Sequence, residues 1–170
     1  MHRIRHRHGR VNGKFVASAV VAGLLLAASH SHALPVSGAA ASTAPSPAAA
    51  TAVAFARAQL GKPYIYGGPT APGTSGGFDC SGLVQAAWAA AGVQIPRTSE
   101  QQWAQLPHVS SPQPGDLVFY TGSPIDPPPG HVTMYAGGGQ MIEAYGAGVP
   151  IRVTGLRSGA WGYARPGGAS

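Results

Sequence analysis

Cys80 is the only cysteine in a chain of 170 residues. It lies in Phe78-Asp79-Cys80-Ser81-Gly82, where a glycine-rich stretch gives way to helical spacing. Leu83, Val84, Ala87, Trp88 and Ala91 would share one apolar stripe, closed by Gly92 just past the helix end. Asp79 stands where an N-cap belongs, which makes Cys80 the first or second helical residue. At that end of a helix the unpaired N–H groups and the positive dipole favour an anion, and a thiolate is one. The setting suits a nucleophile; the plainer reading is a small buried hydrophobe.

A nucleophilic thiol needs a base, and the base needs a partner to fix its tautomer and stabilise its charge. His131 opens an extended run after Pro127-Pro128-Pro129-Gly130, and Glu143 follows it by twelve positions. Gly137-Gly138-Gly139 turns the chain between them. If Ala136 pairs with Gln140, His131 faces Tyr145 and Glu143 faces Thr133. His131 and Glu143 then lie on one sheet face as diagonal neighbours, roughly 7–8 Å apart at Cα. A shift by two residues would make them direct opposites, whereas a two-residue turn would put them on opposite faces. Cys80, His131 and Glu143 thus supply the three roles. The plainer readings are a structural histidine at a strand entrance and a solvated edge glutamate, but Glu143 sits in the apolar run Met141-Ile142-Glu143-Ala144.

Other chemistries fit less well. The histidines at 2, 6, 8, 30 and 32 crowd the N-terminus, leaving only His108 and His131 beyond it. Two histidines and one cysteine do not assemble a four-ligand zinc site, so no metal is expected. No P-loop or dinucleotide fingerprint calls for a cofactor. Ser81 lacks the G-x-S-x-G elbow of a serine hydrolase.

The formal charge of +6 is concentrated at the start. Arg3, Arg5, Arg7, Arg10 and Lys14 precede the apolar run 15–28, and Ser31-His32-Ala33 offers small residues for cleavage. Residues 1–33 therefore read as a secretory signal peptide, with an uncleaved anchor as the alternative. Without them six basic residues face five acids, so nucleic acid is not an expected partner. No membrane association is expected of the mature form. A secreted location would expose a lone thiol to oxidation unless it were buried, paired between chains or used.

Residues 34–50, rich in Ala, Ser and Pro, read as a flexible tether. A domain follows over 51–166, with a short tail at 167–170. Helices are expected over 51–60 and from Cys80 to about Ala91, and a third over 98–106, where Thr98-x-x-Gln101 forms a capping box. Short runs rich in Val, Ile, Tyr, Phe and Thr follow at 116–121, 131–136, 140–145 and 149–154, with 161–164 as a last strand. Helices first and strands later argue for an α+β domain, with the N-terminal helices packed on one antiparallel sheet.

Five segments, in order, resemble the NlpC-type bacterial cell-wall cysteine peptidases. They are Tyr64-Ile65-Tyr66-Gly67-Gly68, Phe78-Asp79-Cys80-Ser81-Gly82, Pro96-Arg97-Thr98-Ser99-x-x-Gln102, Pro114-Gly115-Asp116-Leu117-Val118-Phe119 and Gly130-His131-Val132-x-Met134-Tyr135. Cysteine before histidine argues against the permuted relatives. The resemblance implies a compact papain-like core and hydrolysis of peptide bonds in peptidoglycan stem peptides, typically between D-glutamate and the following diamino acid. It makes Cys80 the nucleophile, His131 the general base and then acid, and Glu143 the orienting third residue. Tyr64 matches the tyrosine that shares the oxyanion site with the Cys80 backbone N–H; core packing is its plainer role.

Arg97, Ser99 and Gln102 are candidates for substrate contacts, or for supporting the third helix. Asp79 and Ser81 are divided in the same way between shaping the helix start and touching substrate. Many family members carry histidine where this chain has Glu143, and the loops 69–77 and 122–130 are longer than common, which bears on substrate preference. With no separate wall-binding repeat, targeting would come from the core, the tether or a regulatory or wall-targeting protein. Two other readings use the same fold: a catalytically silent wall-binding module, and an amidase or acyl transferase.

Overall fold

The structure, a computed structural model, describes residues 44–68, 73, 76–122 and 129–168. The expected signal peptide, most of the tether, the greater part of both long loops and the last two residues lie outside them. Among the described residues, no helix is long and apolar enough to cross a membrane.

Three helices precede a six-stranded sheet, as the order of patterns requires. Helix α1 spans Pro47–Arg57, α2 Cys80–Ala90 and α3 Ser99–Gln105; the strands are β1 His108–Val109, β2 Leu117–Tyr120, β3 His131–Gly137, β4 Gln140–Glu143, β5 Arg152–Gly155 and β6 Gly162–Ala164. All pairings are antiparallel, in the order β1-β6-β2-β3-β4-β5. The fold is α+β.

Helix α1 starts four residues before the expected Thr51. Pro47 does not break this helix; it begins it. At the first helical position the missing proline N–H has no acceptor to lose, and its fixed φ suits the helix. Ser46 caps it by accepting from the Ala49 N–H at 3.2 Å. The start is held because Ala49, Ala52 and Ala56 are buried in the core.

Helix α2 follows its expectation closely. The Asp79 carboxylate accepts from the Gly82 N–H at 2.7 Å, and Cys80 is the first helical residue. Leu83, Val84, Ala87 and Trp88 are buried with Leu117, Phe119, Val132, Met134 and Ile142 from the sheet. Burial of each large side chain contributes about 1.5–3 kcal/mol. The Trp88 indole N–H donates to the Gly115 carbonyl at 3.2 Å, which gives its polar edge a partner. The opposite sheet face carries a smaller cluster of Val118, Tyr120 and Met141, covered by Leu156 and Ala160 on the return from β5 to β6. Strand β1 was not anticipated; its two residues pair with β6 and carry too little pattern to read.

The β3–β4 hairpin resolves the question of parity. Gly137 pairs with Gln140, so the turn is a two-residue one through Gly138 and Gly139, both at positive φ. Alone, that would put His131 and Glu143 on opposite faces. A bulge between Tyr135 and Gly137 absorbs one residue, and beyond it Tyr135 pairs with Met141 and Met134 with Ile142. The expected Ala136–Gln140 pair is therefore replaced by Gly137–Gln140, while the even parity of the body survives.

Tyr64 reaches α2 through a local bridge to Phe78. The Ile65 N–H donates to the Phe78 carbonyl at 3.1 Å, and the Phe78 N–H to the Pro63 carbonyl at 3.3 Å. Gly77, at φ +136°, permits this approach, since a Cβ there would lie 2.2 Å from the Pro63 carbonyl oxygen. Gly77→Ala is expected to cost roughly 1–3 kcal/mol, read as a lower urea midpoint. An unchanged midpoint would show that the Pro63–Phe78 contact does not depend on that glycine.

Candidate active site

Cys80 at the start of α2 and His131 at the start of β3 line one cavity of about 440 Å³. Tyr64, Tyr120, Tyr145 and Arg157 line it as well, and Gly122 and Gly130 form part of the wall. The element ends explain the convergence. Helix α2 packs on β3, and Tyr120, the last residue of β2, pairs with His131. The end of β2 and the start of β3 thus lie beside the helix N-terminus. As the first residue of α2, Cys80 has a backbone N–H with no acceptor inside the helix.

The imidazole Nε2 of His131 lies 3.5 Å from Glu143 Oε2. Both side chains come from the face opposite the helix-packed core, as even parity requires. His131 is 9% exposed and Glu143 is fully buried. A buried carboxylate needs charge partners, and this one has three. Arg152 donates to Oε1 through Nε at 3.1 Å and Nη2 at 2.9 Å, and Arg157 donates to Oε2 through Nη1 at 2.7 Å. Arg152 stands directly across from Glu143 on β5.

These contacts set the ionisation. Burial raises the Glu143 carboxyl, but His131, Arg157 and Arg152 outweigh it and hold its pKa at about 2. Burial lowers the His131 imidazole, but hydrogen bonding and charge attraction from Cys80 and Glu143 outweigh it and hold its pKa at about 8. Near neutral pH the site therefore contains an imidazolium between a sulfur and a carboxylate. Such an arrangement can donate a proton to a leaving group and take one back from water.

The remaining predicted site residues divide by position. Tyr64 lies at the cavity. Asp79, Ser81 and Arg97 form a connected group beside it: Arg97 Nη1 donates to Ser81 Oγ at 2.9 Å and Asp79 Oδ1 at 3.1 Å, and Nη2 pairs with Asp79 Oδ2. Asp79 is at once the N-cap of α2 and the counter-ion of Arg97. Gln102 is fully buried, its amide donating to the carbonyls of Pro96 at 2.8 Å and Ser81 at 3.2 Å. Ser99 is also buried, in the first turn of α3. Neither is among the residues that line the cavity, and the Gln102 amide braces the start of α2.

Arg152, Arg157 and Tyr120 went unnoticed in the sequence. A signal for Arg152 was available, because pairing β4 with β5 puts it across from Glu143. Arg157 lies in the irregular return after β5, where neither parity nor spacing applies.

A model of the NlpC/P60 family matches residues 61–165, a span that contains Tyr64, Cys80, His131 and Glu143. The chain belongs to the NlpC/P60 family. Peptidoglycan endopeptidase RipB of Mycobacterium tuberculosis is 41% identical over 116 residues, covering 60% of this chain and 45% of RipB. The probable endopeptidase p60 of Listeria monocytogenes is 43% identical over 110 residues, covering 63% of this chain and 21% of p60. The match therefore spans less than half the length of either relative. The solved structure of the peptidoglycan hydrolase RipB superposes with a TM-score of 0.58 at 38% identity, covering 74% of this chain and 69% of that one.

The two shifts set a pH window for stability. The raised imidazole stabilises the fold fully below about pH 6.5, and that contribution is lost as pH rises through about 8. The lowered carboxylate stabilises it fully above about pH 4.5, and that contribution is lost as pH falls toward 2. Thermal midpoints should therefore be highest between these limits. In an NMR titration the His131 ring should show a midpoint near 8, and Glu143→Gln should lower it. An unchanged midpoint in the variant would contradict the carboxylate's part in holding the imidazolium.

Proposed function

We propose that this chain is a secreted cysteine endopeptidase that hydrolyses peptide bonds in peptidoglycan stem peptides, between D-glutamate and the following diamino acid. The observation that carries the reading is the placement of Cys80 and His131 on one cavity, with Glu143 3.5 Å behind the imidazole. The names of the relatives RipB and p60, both endopeptidases, support the reaction class. Residues 1–33 direct export in this reading, and the product acts in the cell wall.

In the reaction, Cys80 Sγ attacks the scissile carbonyl carbon as the thiolate, its proton resting on His131. The carbonyl oxygen gains the negative charge and is met by the Cys80 backbone N–H and the Tyr64 hydroxyl. The C–N bond breaks as His131 delivers the proton to the departing amine, leaving a thioester on Cys80. His131, now neutral, takes a proton from water as the water oxygen attacks the thioester carbon. Breakdown of that intermediate releases the acid and restores the sulfur–imidazolium pair. Glu143 keeps the ring oriented throughout and offsets its charge.

Product analysis by mass spectrometry tests this reading. Purified protein acting on peptidoglycan should release stem-peptide fragments cut after D-glutamate, and Cys80→Ala should reduce the rate by roughly 10⁴-fold or more. Glu143→Gln should lower kcat by about a hundredfold or more while leaving KM within a fewfold. Undiminished release by Cys80→Ala would refute the mechanism, and fragments cut at an amide outside the stem peptide would favour an amidase.

A further inference from the structure

The charges at the site do not balance. A single carboxylate, Glu143, faces the two guanidiniums of Arg152 and Arg157. One positive charge is in excess. Glu143 is fully buried and presents nothing to the cavity, whereas the Arg157 side chain is 36% exposed and is part of the cavity wall. Among the described residues, the cavity-lining groups that carry positive charge are His131 and Arg157, and no carboxylate lines it.

Arg157 is also held in place before any ligand arrives. Its Nη1 donates to Glu143 at 2.7 Å, and its own carbonyl accepts from the Tyr120 hydroxyl at 3.2 Å. The guanidinium lies 4.6 Å from the centroid of the Tyr120 ring and 5.6 Å from that of Tyr145, and both rings line the same cavity. Cation–π contacts of this kind fix the plane of the guanidinium at little entropic cost. The bond to Glu143 uses one N–H of the five that the group carries. A fixed, partly exposed fork with excess positive charge is suited to a carboxylate held by two parallel N–H···O bonds.

We infer that Arg157 is a specificity residue that anchors a carboxylate of the substrate, so that the cavity selects acidic stem peptides carrying free side carboxyls over those in which the carboxyls are amidated. This rests on the peptidase reading for the identity of the substrate, but not for the recognition itself. Arg152 has a different task. It is not among the residues that line the cavity, and its Nε and Nη2 both donate to Glu143 Oε1.

The test separates recognition from turnover. Two synthetic stem tetrapeptides, one with free side carboxyls and one with the same groups as carboxamides, are titrated calorimetrically into the full chain carrying Cys80→Ala, which prevents cleavage. With Arg157 intact, the free-carboxyl peptide should bind at least about tenfold more tightly. Adding Arg157→Gln should reduce that preference to within about twofold, whereas Arg152→Gln should preserve it. If Arg157→Gln fails to fold by circular dichroism, Arg157→Lys keeps the charge without the fork and should give an intermediate preference. Equal affinity for the two peptides with Arg157 intact, absence of binding by either, or a preference that survives loss of the guanidinium would overturn the inference. Selective binding without turnover in the unsubstituted protein would instead refute the peptidase reading and leave the anchor standing.

Discussion

A carboxylate with no exposed surface sits at the centre of this site, and its neighbours are arranged to keep it charged. Removing one partner of a buried ion pair typically costs about 3–5 kcal/mol, because the other charge is left uncompensated. Glu143 avoids this through Arg152 on the neighbouring strand, Arg157 on the following return and His131 across the hairpin. The consequence travels outward. A fixed Glu143 fixes the imidazole, and a fixed imidazolium faces the sulfur at the start of α2. The hairpin, the return to β6 and the central helix are thus coupled through one carboxylate.

The start of α2 is fixed as firmly from its other side. Asp79 caps the helix and binds Arg97, Arg97 reaches Ser81, and the Gln102 amide holds the Ser81 carbonyl. Two residues of the Pro96–Gln102 segment, Arg97 and Gln102, therefore serve the geometry of two neighbours of Cys80. Tyr64 is brought in by the bridge to Phe78, which the backbone at Gly77 allows. Cys80, His131 and Tyr64 are each held by an element end: a helix N-terminus, a strand entrance and a short bridge. None depends on a long unsupported side chain.

Features governed by local rules were readable in the sequence. The cap at Asp79, the helix end at Gly92 and the capping residue Thr98 follow from short-range hydrogen bonding, and the structure has each of them. The same-face placement of His131 and Glu143 was also reachable by parity, although by a different route: a tight two-residue turn corrected by a bulge. Pro47 lies in the stretch whose composition reads as a tether, yet a proline that would break a helix interior suits the first position of one, and α1 starts there. What stayed out of reach was tertiary. Nothing near Arg157 in the sequence announces that it will cross to β4 and to the Tyr120 ring, and nothing near Gln102 announces that its amide will reach the Ser81 carbonyl at the start of α2. The family motif supplied the order of the segments without distinguishing those that line the cavity from those that brace it.

Covalent capture at Cys80 is the step on which the proposed chemistry turns. Acid-quenched reactions of the unsubstituted protein with a stem peptide, followed by intact-protein mass spectrometry and peptide mapping, observe it directly. The expected result is a transient mass gain equal to the N-terminal acyl fragment of the peptide, located on Cys80 and removed by hydroxylamine. Turnover with no adduct at any quench time, together with full activity after Cys80 has been alkylated, would contradict it.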